Sequence, residues 1–269
     1  MNMSFWTGAV GADHFKNSLD VVSNNLANIN TVGYKPKNSH FRELINYNIN
    51  DSREAVTELQ AGAGAIVNET PTNFKFSSMN ITNSETDFCL MDDNTFFMIQ
   101  DPNDNSITYT RNGHFHRGLM PDGEFYLMTE SGKYVLDQNG ERLKADVIDF
   151  ETLRGKSEEE NGETTAETTE TEETQENEEK PRIGVYTFPH PSRLISQGDN
   201  ELAVREGDNQ NTPALVSYPH LESGVLESSG TDMALEMTKI IESQRAFTYA
   251  LKMVTTSDEI EGTINQLRG

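Results

Sequence analysis

Residues 5–33 read FWTGAVGADHFKNSLDVVSNNLANINTVG, and their periodicity decides the fold class. Apolar or small residues recur at Phe5, Gly8, Ala12, Phe15, Leu19, Val22, Leu26 and Ile29. The alternating steps of three and four form the 3.5-residue seam of a helix that packs along another helix. Gly33, after Thr31 and Val32, predicts the stop, because glycine takes the left-handed C′ conformation without a Cβ penalty. Asn24, Asn25, Asn28 and Asn30 crowd that end. Asparagine is a mediocre helix former whose amide competes for backbone groups. Either the helix end is frayed and polar, or the amides bond to neighbouring backbone or to another subunit.

The other end of the chain mirrors this pattern. Ser229-Gly230-Thr231-Asp232 reads as an N-cap serine with an acid three residues on. Met233, Met237, Ile240, Gln244, Phe247, Leu251 and Val254 follow at the same spacing, and the seam then shifts to Ile260, Ile264 and Leu267. Gln244 and Asp258 are polar interruptions of the kind that set register. Both termini are therefore expected to be coiled-coil helices.

Between the ends the pattern changes to short apolar or aromatic runs separated by turn signals. Arg111-Asn112-Gly113, Pro121-Asp122-Gly123, Ser131-Gly132 and Asn139-Gly140 punctuate runs such as Phe125–Met128 and Lys133–Leu136. Asn-Gly and Asp-Gly supply the positive φ of tight hairpins, so an antiparallel meander is expected. A further strand, Ile183–Phe188, follows an acidic run. From 157 to 179 the chain carries eleven glutamates and no Lys or Arg, which leaves −12 of the formal −23 for the remainder. Such a composition cannot repay its ordering entropy. The expected fold class is α+β: residues 1–35 an N-terminal assembly helix, 36–80 an extended linker, 81–222 a β-rich domain with a disordered acidic insertion at 152–181, and 223–269 a C-terminal assembly helix.

The charge balance argues against nucleic acid and anionic lipid as partners, because binding to either depends on Lys and Arg releasing counterions. No stretch approaches the ~20 apolar residues that span a bilayer, and the first residues lack the basic and apolar regions of a cleavable signal. The single cysteine, Cys89, lies in the apolar run Phe88–Met91 and reads as a small buried hydrophobe. His114 and His116 would share one face of a strand, but no third ligand is evident. Phosphate-binding loop, nucleophile elbow, Cys-x-x-Cys and His-Glu-x-x-His patterns are absent. No catalytic residue, cofactor or metal is expected.

Several of these segments together resemble the flagellar basal-body rod and hook protein family. The resemblance lies in Leu19–Lys35 (LDVVSNNLANINTVGYK), in Asn83–Phe97, in Tyr109–Phe115 (YTRNGHF), in Gly184–Phe188, in Gln197-Gly198-Asp199-Asn200 and in Gly224–Ser229 followed by Glu236–Phe247. It implies an axial structural subunit that polymerises through its terminal helices. It implies self and other rod or hook subunits as partners, and export by the flagellar type III apparatus without cleavage to a basal body outside the cytoplasmic membrane. A hook-type subunit is the alternative. A metal-binding β-protein or a coiled-coil adaptor are rivals from other classes. The expected assembly interface is Leu19, Val22, Asn24, Asn25, Leu26, Asn28, Gly33 and Tyr34 at one end, with Met237, Ile240, Ile241, Gln244, Arg245, Phe247, Leu251, Val254, Ile260, Ile264 and Leu267 at the other.

Overall fold

A computed structural model describes residues 3–48, 60–145 and 182–268. The acidic insertion expected at 152–181 lies outside the described residues. The chain divides into two compact units. One is Met1–Asn30, Lys35–Asn73 and Gly230–Gly269; the other is Thr31–Tyr34 and Phe74–Ser229. Helices stand at both ends of the chain around an antiparallel β-domain, so the class is α+β.

The first unit holds α1 (Met3–Ala27), the strands β1 (His40–Glu43), β2 (Asn46–Asn48), β3 (Gln60–Gly62) and β4 (Ala65–Glu69), and α2 (Met233–Arg268). Within residues 36–80, expected as an extended linker, the described strands β1 to β4 pair with one another. Strand β1 runs antiparallel to β4, with Phe41 opposite Val67, and β2 runs antiparallel to β3. The pairing gives Phe41 a packing partner in Phe15 of α1, ring centroids 5.4 Å apart, which an unpaired linker would not provide.

The stop of α1 also differs from expectation. The helix ends at Ala27, six residues before Gly33. There the Asn28 amide group donates to the Asn24 carbonyl at 2.9 Å, the local competition that makes asparagine a helix terminator. At the start of α2 the cap is Asp232, not Ser229. Its Oδ1 accepts from the backbone N–H groups of Ala234 (2.9 Å) and Leu235 (3.3 Å). A carboxylate serves here because two orphan donors and the positive end of the helix dipole both favour it.

The second unit begins with β5 (Met79–Ile81), β6 (Phe88–Leu90), β7 (Thr95–Gln100), β8 (Ile107–Thr110), β9 (Phe115–Leu119), β10 (Phe125–Thr129) and β11 (Tyr134–Val135). It continues with β12 (Val185–Thr187), β13 (Ile195–Gly198), β14 (Glu201–Ala203), β15 (Ala214–Leu215), β16 (Leu221–Ser223) and β17 (Val225–Glu227). The main sheet runs β13-β14-β8-β7-β11-β10-β9, with β12 beside β7 and β15 beside β12. Only β9, β10 and β11 form the expected meander. The turns at Gly123, Gly132 and Gly140 do take positive φ.

Strand β7 explains the depth of the core. Its sequence TFFMIQ does not alternate, because both faces are covered. Phe97 and Ile99 pack with Phe88, Phe115, Leu127 and Val185 on one side. Phe96 and Met98 pack with Phe74, Tyr109, Leu136 and Phe188 on the other. Each fully buried aliphatic or aromatic side chain contributes about 1.5–3 kcal/mol. Burial, with Tyr186 close by, pushes the Tyr109 hydroxyl up to about 12. Cys89 is buried in β6 opposite Glu222. Cys89→Ser is expected to cost less than about 2 kcal/mol, since one small buried atom becomes more polar; thermal melting of the purified chain checks this.

Candidate assembly surface

Within the first unit α1 and α2 lie antiparallel. Ser4 and Ser257 share a hydroxyl–hydroxyl bond of 2.8 Å at one end of the pair. At the other the Asn25 amide donates to Glu236 Oε2 at 3.1 Å. Between them, a Cβ at Gly8 would stand 3.1 Å from Val254 Cγ2 and 3.2 Å from the Ala250 carbonyl, so the small residue lets the two helices come close.

The buried stripe of α1 is Gly8, Ala12, Ser18, Val22 and Asn25. Leu19 and Leu26, expected on the seam, are half-buried beside it, and polar Ser18 and Asn25 take the inner places. Ser18 can do so because its hydroxyl meets that of Ser39 at 2.8 Å. Asn25 is wholly buried. Its Oδ1 accepts from Lys37 N–H at 3.0 Å, and its amide donates to the Lys37 carbonyl at 2.8 Å as well as to Glu236. Glu236 Oε1 in turn accepts from Lys239 Nζ at 2.7 Å, and Lys239 also donates to Asn38 Oδ1 at 3.1 Å. One amide thus binds the end of α1, the returning chain and the first turns of α2. Asn24, by contrast, is exposed on the helix surface.

On α2, a row of buried and half-buried residues runs through Glu236, Ile240, Ser243, Phe247, Ala250, Val254 and Ser257, again in steps of four and three, with Lys239 and Ala246 half-buried beside it. Three of the expected seam residues, Ile240, Phe247 and Val254, belong to this row. Met233, Met237, Ile241, Gln244, Arg245 and Leu251 are exposed. So are Ile260, Ile264 and Leu267 at 49, 57 and 84%, beyond the level at which Ser4 closes the helix pair.

Gly33 and Tyr34 belong to the second unit. Gly33, at φ +65°, donates its N–H to the Glu227 carbonyl at 2.8 Å. A Cβ there would sit 2.6 Å from the Arg111 carbonyl oxygen, so the position requires glycine for its φ and for its closeness. Asn200 donates its side-chain amide to the Val32 carbonyl at 3.0 Å.

Under this contact lies Arg111, with the Glu227 carboxylate 2.9 Å from its Nε and both side chains about 2% exposed or less. The same guanidinium donates to the carbonyls of Leu90, Asp92 and Thr95. Glu227 Oε1 accepts from Ser77 N–H at 2.8 Å. The turn expected at Arg111-Asn112-Gly113 is therefore a buried junction and not a hairpin. Gly113 carries no positive φ; it is glycine because any Cβ would overlap the Phe88 carbonyl, whose own N–H bonds the Gly113 oxygen.

Four segments far apart in the chain, 31–34, 109–115, 197–200 and 224–229, thus meet at one place. Residues 7–35 match the family described as flagella basal body rod protein, and residues 222–267 match flagellar basal body rod FlgEFG protein C-terminal. The flagellar basal-body rod protein FlgG of Bacillus subtilis is 31% identical over 97% of both chains. The chain belongs to the flagellar basal-body rod protein family. FlgG of Borreliella burgdorferi is 28% identical over 100% of this chain and 99% of that one. The flagellar hook-basal body complex protein FlhP of Bacillus subtilis is 25% identical over the whole of both. Rod proteins of this family are structural subunits of the basal body, and these relatives do not favour the hook-type alternative.

His114 Nδ1 lies 2.8 Å from Asp87 Oδ1, while His116 is exposed. Among the described residues no group of three or more His, Cys, Asp or Glu could hold a metal ion, and no helix is long and apolar enough to cross a membrane.

The sequence pattern missed Ser18, Glu236, Ser243 and Ser257, because a search for apolar periodicity passes over polar residues that occupy buried positions. It also missed Arg111 and Glu227, whose pairing spans 116 residues of chain.

Proposed function

We propose that this chain is a rod subunit that joins its neighbours through the exposed faces of its paired terminal helices, as a coiled-coil segment within a larger helical layer. The observation that carries the reading is the apolar surface left over once α1 and α2 have paired. Met237, Ile241, Leu251, Ile260, Ile264 and Leu267 remain exposed, and rows of this kind on one long helix are rarely left to water. Val22, Asn25, Ile240, Phe247 and Val254 hold the subunit together from within, while Met237, Ile241, Gln244, Arg245 and Leu251 offer the contact to other rod subunits. The role is architectural, without catalysis or cofactor. Export through the flagellar type III apparatus is the route that family membership supports.

Recovery of the chain in purified hook–basal bodies tests this reading. The double variant Met237→Glu/Ile241→Glu changes only exposed positions, so it should melt like the wild type yet be lost from that fraction. Undiminished recovery would contradict the assignment.

A further inference from the structure

An apolar groove of about 380 Å³ opens on the first unit where α1, α2 and the β1–β4 pair meet. Its floor is made of small residues, Gly8 and Gly11 among them, and its walls are Phe15, Phe41, Tyr249 and Met253. A small-residue floor between aromatic walls admits the side chains of a passing helix more readily than a compact polar ligand.

The same chain carries a feature that matches. Beyond Ser257, α2 continues for eleven residues to Arg268, about 16 Å of helix, with Ile260, Ile264 and Leu267 exposed. At 100° per residue these three side chains lie within about 60° of one another, on the continuation of the stripe formed by Tyr249 and Met253. The stripe that walls the groove therefore runs on, uncovered, past the end of α1. Its own groove cannot receive it, since a continuous helix carries the tip away from that place.

Charge agrees with this fit. The tip bears Asp258, Glu259 and Glu261, with Arg268 as its one cation. Beside the groove, Lys252 Nζ stands 5.8 Å from the centre of the Tyr249 ring.

We infer that the groove of one copy receives the α2 tip of a second copy, with Ile260, Ile264 and Leu267 seated between Phe15, Phe41, Tyr249 and Met253. This rests on the rod reading above and names the contact within it. Groove and tip are different surfaces of one chain, so the contact is heterologous and each copy offers a fresh groove or tip to the next.

Cysteine cross-linking tests the pairing. In a Cys89→Ser background, Phe41→Cys and Ile264→Cys are introduced together, and hook–basal bodies are isolated, oxidised and run without reductant. Residue 264 stands eleven residues beyond Met253 on a rigid helix, so an intrachain disulfide is out of reach. The double variant should give a ladder in steps of one 30.1 kDa chain, and each single variant should give none. A chain recovered in hook–basal bodies without a ladder, or linked only to a protein of another mass, overturns the groove assignment while leaving the rod role standing. Absence of the wild-type chain from hook–basal bodies would instead remove the rod reading. As a second arm, Ile264→Asp alters an exposed position and should keep the wild-type melting temperature while reducing recovery in hook–basal bodies by roughly tenfold or more. Recovery equal to wild type would overturn the proposal even if the cysteine variant failed to assemble.

Discussion

Arg111→Ala is expected to destabilise the β-domain by about 3–5 kcal/mol, the usual loss when one partner of a buried ion pair is removed. The substitution strands the Glu227 carboxylate, which is 1% exposed, and takes the donor from the carbonyls of Leu90, Asp92 and Thr95. For a domain of this size each kcal/mol is worth about 2–4 °C, so the β-domain transition should fall by roughly 10 °C. Arg111→Lys keeps the charge but not the planar fork that reaches several acceptors at once, and should recover only part of the loss. The pair Arg111→Met/Glu227→Leu should be less damaging than Arg111→Ala alone, because no unpaired charge is left inside. Differential scanning calorimetry of the four proteins checks the order. An Arg111→Ala chain that melts like wild type would show that the junction contributes little.

Asn25→Asp should be more disruptive to the terminal unit than its size suggests. The change is nearly isosteric, yet it removes the amide donor to the Lys37 carbonyl and to Glu236, and it sets a second carboxylate about 3 Å from the first. Lys239 is the cation bonded to Glu236 and would face two anions. The loss should exceed about 3 kcal/mol near neutral pH. Its pH dependence has a definite sign. Like-charge crowding raises the folded-state pKa of the new acid, so the penalty is present above that pKa and is relieved as pH falls and the group takes a proton. Thermal melts of Asn25→Asp should therefore lie closer to wild type at mildly acid than at neutral pH, without reaching it, since one carboxyl O–H replaces only one of the two donated bonds. Parallel curves would mean that the carboxylates do not meet.

Both sites show what a linear reading can and cannot reach. The helices at each end, the strands between them and the positive-φ turns at Gly123, Gly132 and Gly140 were legible, because each is written in a few adjacent residues. The density of asparagines near residue 25 signalled a need for partners. It could not name Glu236, which lies 211 residues away. Ile240, Phe247 and Val254 were placed on the inner row of α2, but Met237 and Leu251 were not separated from them. The 3.5-residue spacing fits two adjacent stripes, and the chosen stripe was the more apolar one, while the inner row mixes in Glu236, Ser243 and Ser257. The same preference for apolar positions hid Ser18. Arg111-Asn112-Gly113 was read as a hairpin because Asn-Gly commonly makes one; the reason for its glycine, the Phe88 backbone, is visible only in three dimensions.

The pairing of the first helix with the last also fixes an order of events. Ser4 and Ser257 are 253 residues apart, and closing a loop that long in an unfolded chain costs about 5 kcal/mol of entropy. The β-domain is stitched by short hairpins such as Met120–Glu124, whose ends meet quickly. Those hairpin contacts are local, whereas the pairing of α1 with α2 is the most distant in the chain. A chain delivered amino end first holds α1 with its Val22 and Asn25 stripe open until nearly the last residue has arrived. During that interval the α1 stripe has no α2 of its own chain to cover it.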